Sequence, residues 1–169
     1  MGRVSIKENK NLYQLCREGM NLSREKASEL LKVISPERIE KIENDKVQPY
    51  PDEVLTMSEK YKESTLCNYY CANQCAIGRQ YVPEIKIKDL SHIVLEMLAS
   101  LNSINRKQER LIEITADGKI DSNELEDFVF IQEELERVSI TVETLQLWSK
   151  QMLDKGFIDI EVYNTFKQA

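Results

Sequence analysis

Cys67, Cys71 and Cys75 stand at intervals of four in LCNYYCANQC, and three thiols so spaced could do chemistry. On a continuous helix residues four apart share a face, so this register makes a small apolar stripe. The alternative is a thiolate centre holding zinc or an iron–sulfur cluster, or a redox switch. Thiolate sites favour two-residue spacings and four ligands, and only Cys16 or the lone His92 could supply a fourth. Packing is the reading adopted, with no cofactor expected. Catalysis finds no footing: there is one histidine, no glycine-rich phosphate loop, no nucleophile elbow and no pair of carboxylates set among apolar residues. The chain is read as a non-enzyme.

A second set of polar side chains lies in SPERIEKIEND, residues 35–45. Ser35 can cap a helix with its hydroxyl, Pro36 fits the first helical position, and Ile39 and Ile42 mark a buried stripe. At 100° per residue the outward face is then Glu37, Glu40, Lys41 and Asn44, flanked by Arg38, while Glu43 falls beside the core. Lys or Arg can donate to guanine O6 and N7, Asn can pair with adenine and Glu can accept from cytosine N4. Such a face can read base edges and is poor at gripping phosphate.

The elements that must hold this helix can be read from spacing. Leu12, Leu15 and Cys16 give a first helix, and REGMN turns into Leu22 and Ser23, a cap for REKASELL. After SPERIEKIEND, the loop KVQPYP is broken by Pro49 and Pro51, and DEVLTMSEKY is amphipathic with acids in its first turn. Four or five short helices therefore fill residues 1–65.

LCREGMNLSREKASELL, ISPERIEKIEND and KVQPYPDEVLTMSEKY together resemble the Cro/repressor-type (XRE-type) helix-turn-helix domain over roughly residues 10–62. The resemblance implies a DNA-binding transcriptional regulator with double-stranded DNA as partner and the 36–43 segment as recognition helix. It also implies a structural ion pair between Arg17 and Glu43. The DNA-binding set would be Arg24, Ser35, Glu37, Arg38, Lys41, Asn44 and Lys46, with Arg24, the second helix's N-terminus and Lys46 on phosphate and Lys10 or Arg3 in an N-terminal arm. Two features depart from the family: LLKVISP is a longer link between the second and third helices, and Asp45 replaces the usual glycine after the third. Asn44 or Asp45 can still take a left-handed cap.

Residues 66–86 read as a cysteine-containing segment and linker, with Gly78 and Pro83 interrupting the periodicity of GRQYVPEIKI. Residues 87–169 read as an acidic helical domain. Leu90, Val94, Met97, Leu101, Ile104 and Leu111 predict one long helix over 87–114, and Leu125, Phe128, Leu135, Val138, Val142, Leu145 and Met152 predict a second over 122–153. A short connection would make them an antiparallel hairpin.

Two turns repeat: DGKIDSNELEDF and KGFIDIEVYNTF align as glycine stop (Gly118, Gly156), isoleucine plug (Ile120, Ile158) and aspartate cap (Asp121, Asp159). The first copy also resembles part of an EF-hand loop through Asp117, Gly118, Ile120, Asp121 and Glu124. Its first and third ligand positions, Glu113 and Thr115, do not suit calcium, so the helix-turn reading is preferred.

Composition closes the frame. An apolar content of 41% is enough for a core, and five glycines and four prolines leave long helical stretches, so the fold class is all-α. Charge is unevenly shared: residues 1–62 carry 12 Lys/Arg against 11 Asp/Glu, and the remaining 11 and 18 lie beyond. Such an acidic second part argues against non-specific nucleic-acid binding. No apolar run approaches the roughly 20 residues of a membrane span, and no hydrophobic signal core is present, so no membrane partner and a cytoplasmic location are expected. The expectation is a regulator whose C-terminal helices build a homodimer. A helical protein-interaction module with a vestigial helix-turn-helix, and a metal- or redox-sensing regulator, are the alternatives.

Overall fold

The computed structural model describes residues 9–167, so the Arg3 of the expected N-terminal arm lies outside the described residues. Among them every regular element is a helix and no strand occurs. None of the helices is long and apolar enough to cross a membrane. The chain divides into two compact units, residues 1–84 with 150–169, and residues 85–149.

The first unit opens with α1 (Leu12–Gly19), α2 (Arg24–Leu31) and α3 (Pro36–Glu43). Each starts on a short polar side chain that accepts a backbone N–H three residues on: Asn11 from Gln14, Ser23 from Lys26, Ser35 from Arg38. Such caps satisfy donors the first turn leaves free. Each of these helices is followed by a residue of positive φ, namely Asn21, Lys32 and Asp45. Asp45 at φ 55° thus adopts the left-handed conformation in place of a glycine. The link LLKVISP is absorbed the same way: Lys32 turns the chain, Val33 projects into solvent and Ile34 returns to the core at 1% exposure.

α4 (Pro51–Tyr61) begins with proline at N1 and ends on Lys62, again left-handed. The core common to these helices contains Tyr13, Ala27, Leu31, Ile39, Ile42, Val54, Met57 and Tyr61. Ala27, fully buried, is the small residue that lets α2 and its neighbours approach.

Residues 66–86 are more than a linker. α5 (Thr65–Asn73) packs on α4, buries Leu66 in the same core, and carries the short α6 (Gly78–Tyr81). Gly78, read in the sequence as a boundary, is there for close approach: a Cβ on it would overlap the carbonyl oxygen of Cys71. The end of the longest helix and α10 (Ile160–Lys167) belong to this unit as well, with the Gln151 amide donating to Glu63 at 3.2 Å.

The second unit holds α7 (Leu90–Arg106), α8 (Gln108–Thr115) and most of α9 (Leu125–Asp154). The single helix expected over 87–114 is broken at Lys107, whose φ −108° and ψ 9° leave the helical range. No proline or glycine causes this. Lys107 and Arg110 both reach Asp127, at 2.8 and 2.9 Å, and Lys107 lies 5.7 Å over the Phe130 ring, so contacts to α9 select the break. Gly118 and Gly156 take φ 70° and 74°; the Asp159 carboxylate caps α10, whereas Asp121, expected to cap the next helix, accepts from the Asn123 and Glu124 N–H groups in a turn that ends before α9 begins at Leu125. Ile120, expected to plug a core, is instead 43% exposed. Ile93, Ile114 and Ile131 are the buried apolar side chains of this unit, accompanied by Ser100, Glu134, Thr141 and Thr144.

Gly78→Ala is expected to destabilise the chain by about 1–3 kcal/mol, because α6 must move off the α5 backbone. A lower midpoint in urea unfolding followed by circular dichroism is the measurement, and an unchanged midpoint would refute the close-approach reading.

Candidate nucleic-acid interface

α3 is held on three sides. Behind it, the Glu43 carboxylate is 1% exposed and takes three charge-assisted hydrogen bonds: from Arg17 Nε, from Arg17 Nη2 at 3.0 Å, and from Arg24 Nε at 2.9 Å. Arg17 Nη1 also donates to the Leu22 carbonyl, so one guanidinium fastens α1 to the start of α2 and to the end of α3. Burial works against the Arg17 charge, but the hydrogen bonds and charge of Glu43 outweigh it and raise its pKa.

Two further ties were not foreseen in the sequence. Asn11, while capping α1 with its oxygen, donates through Nδ2 to the Ile42 carbonyl at 2.8 Å and to Asp45 at 2.9 Å. On the far side Arg38 grips Glu53 with both arms of its fork, at 2.6 and 2.7 Å, and lies 4.6 Å over the Tyr50 ring. Glu53 in turn accepts the Tyr50 N–H at 2.7 Å, closing the start of α4. Its place three residues after Tyr50, across Pro51, is the one available sequence signal, a capping position.

These ties sort the expected DNA-binding residues. Arg38 spends its fork on Glu53 and cannot present it to a guanine in this arrangement. Arg24 has Nε committed to Glu43 and keeps a side chain 31% exposed. Asn44 donates to the Glu40 carbonyl at 2.9 Å, and Ser35 is the cap itself. Lys10 pairs with Glu18 at 2.7 Å. Glu37, Glu40, Lys41 and Lys46 remain exposed.

The starts of α2 and α3 share one electrostatic arrangement. The pKa of Glu25 is lowered by hydrogen bonds from its own backbone N–H and from Ser23, and that of Glu37 by its own N–H and Ser35. Each helix N-terminus, where a phosphate would otherwise settle, is covered by a carboxylate of the same turn.

The cysteines lie apart from this face. All four are free and half-buried. Cys16 is pushed up to about 12 by burial and then by Glu63, and Cys71 is raised by burial and then by Cys75 and Cys67. Cys75 Sγ accepts the Gly78 N–H at 3.4 Å. Among the described residues no three Cys, His, Asp or Glu side chains converge as a metal-ion ligand set. The EF-hand-like positions engage in local capping: Asp117 accepts the Lys119 N–H, and Thr115 donates to Leu111 in its own helix.

Glu43→Ala leaves the buried Arg17 with only the longer 3.6 Å ion pair to Glu18 and is expected to cost about 3–5 kcal/mol, read as a drop in unfolding free energy in urea. An effect under 1 kcal/mol would mean that α3 does not depend on the pair. Glu53 gives the pH dependence: burial raises its pKa, but the Arg38 and Tyr50 hydrogen bonds prevail and hold it below 4.5. Its contribution is therefore complete above the unfolded-state value and lost as pH falls through the folded one. Glu53→Gln should flatten the acid side of the stability profile below about pH 4.5, and an identical slope in acid titration would contradict this.

No family model matches the chain, and no curated protein or solved structure matches it.

Proposed function

We propose that the first unit reads double-stranded DNA and that the chain is a sequence-specific, cytoplasmic transcriptional regulator of the Cro/repressor type. The observation that carries this is the anchoring of α3. Bound to α1, α2 and α4 by Glu43, Asn11 and Arg38, it presents a rigid outer face of Glu37, Glu40, Lys41 and Asn44. An exposed helix held in this way suits the major groove, where about 1–3 kcal/mol of discrimination comes from each well-made base contact.

The roles follow from what each side chain has left to offer. Lys41 is placed to donate to guanine O6 or N7 and Glu40 to accept from cytosine N4. Lys46, beyond the end of α3, and the exposed edge of Arg24 serve phosphates. Arg38 positions α3 against α4. With few phosphate contacts, binding has a shallow salt dependence and needs a second half-site for useful affinity, which implies a homodimer.

A second reading, a protein-binding module on the same scaffold, has one observation in its favour: Arg38 is consumed internally, and Glu25 and Glu37 cover the helix starts. The two readings separate on duplex DNA. Lys41→Ala should lose about 1–3 kcal/mol on a selected site, while Lys46→Ala should weaken all sequences and lower the salt slope by about one. Glu25→Ala, by freeing the α2 N-terminus, should tighten binding to any duplex. If selection from random duplex enriches no sequence and anisotropy detects no binding at low salt, the DNA reading fails and the protein-binding reading replaces it.

A further inference from the structure

A cleft of about 420 Å³ opens in the first unit between α1, the end of α4 and the residue that follows α9. That volume lies within the roughly 300–1,000 Å³ that small-molecule sites occupy. The apolar wall is Leu12, Leu15, Cys16, Met20 and Tyr61, and the charged members are Lys62, Glu63 and Lys155. Leu15 is 51% and Met20 38% exposed, so large apolar side chains of α1 and its exit stay open to water at this place.

The charges of the cleft are unequally committed. Glu63 accepts from the Thr65 hydroxyl at 2.7 Å and from the Gln151 amide at 3.2 Å, which fix its carboxylate. Lys62 and Lys155 are exposed, and neither ammonium has an ion-pair partner among the described residues. Glu63 and Lys155 converge on one thiol: burial and Glu63 push Cys16 up, Lys155 opposes them, and the value reached is about 12. Cys16 therefore stays protonated and serves as neutral wall, unsuited to attack a ligand or to hold a metal.

We propose that this cleft binds a small monocarboxylate with an apolar body, of the fatty-acid or arylalkanoate kind. The wall takes the body, and Lys62 and Lys155 take the head. Net charge selects the head group: two ammoniums against one fixed carboxylate leave a single positive charge, which a monoanion balances. A phosphate dianion would be repelled by Glu63, which Thr65 and Gln151 keep from turning away. An organic cation would meet both lysines. The apolar wall excludes a small hydrated anion as a sufficient ligand, because such an ion leaves Leu15 and Met20 uncovered.

The test is isothermal titration calorimetry of the full chain with decanoate and with phenylbutyrate, each below its micelle concentration. Decanol and inorganic phosphate are titrated beside them, and no DNA is present, so the outcome is independent of the DNA reading. One saturable site for a carboxylate is expected, with decanol and phosphate about tenfold or more weaker. The tighter of the two carboxylates assigns a chain or a ring as the body. Replacing Lys62 and Lys155 together by Gln should weaken the carboxylate about tenfold and leave decanol unchanged. Leu15→Gln should weaken both, and Lys150→Gln, outside the cleft, neither. Circular dichroism checks the fold, and Lys155→Gln alone replaces the double variant if that one loses helical signal. No saturable binding of either carboxylate at millimolar concentration overturns the proposal. So does decanol bound as tightly as decanoate, or an affinity that the lysine replacements leave unchanged or that Lys150→Gln lowers equally.

Discussion

A single buried carboxylate organises the first unit. Glu43 sits at the point where the end of α3 passes α1 and the start of α2, and an unpaired charge there would be prohibitive. Two arginines answer it from two different helices, so the desolvation cost is met only when all three helices are in place. The pair therefore contributes more to geometry than to net stability. It fixes the rotation of α3, and with it which side chains face outward.

That constraint accounts for the acidity of α3. Of its acids, Glu43 is internal and paired, and Glu37 folds back onto the N-terminus of its own helix. Glu40 alone is left as an uncommitted outward carboxylate beside Lys41. The net charge of a short helix is thus a poor guide to what it offers a ligand, because charges spent on capping and clamping are withdrawn from the surface. The same bookkeeping removes Arg38 and part of Arg24 from the cationic side.

The two units solve the packing problem differently. In the first, short helices with capped starts and left-handed exits surround one core of large side chains, and close approaches occur at Ala27 and Gly78. In the second, ion pairs to Asp127 bend the chain at Lys107, small polar residues occupy buried positions, and leucines stay outside. Side chains of that size hold their place on a water-facing helix at little cost to the fold, but they leave apolar area available for association.

What the sequence alone determined were the features set by neighbours within a few residues. Helix starts at Ser23 and Ser35, the proline-led α4, the left-handed glycines 118 and 156 and the all-α class follow from capping, φ preference and periodicity, which act locally. The inward phase of Ile39 and Ile42, and hence the burial of Glu43, followed in the same way. Tertiary structure alone decided the rest. Nothing near Lys107 marks a break, because its cause is Asp127 twenty residues away. Gly78 reads as a stop until the Cys71 carbonyl is seen beside it. Arg38 reads as a free base-contacting arginine until Glu53 is brought within reach. In each case the deciding energy is a contact between residues distant in the chain, and spacing along one helix carries no record of it.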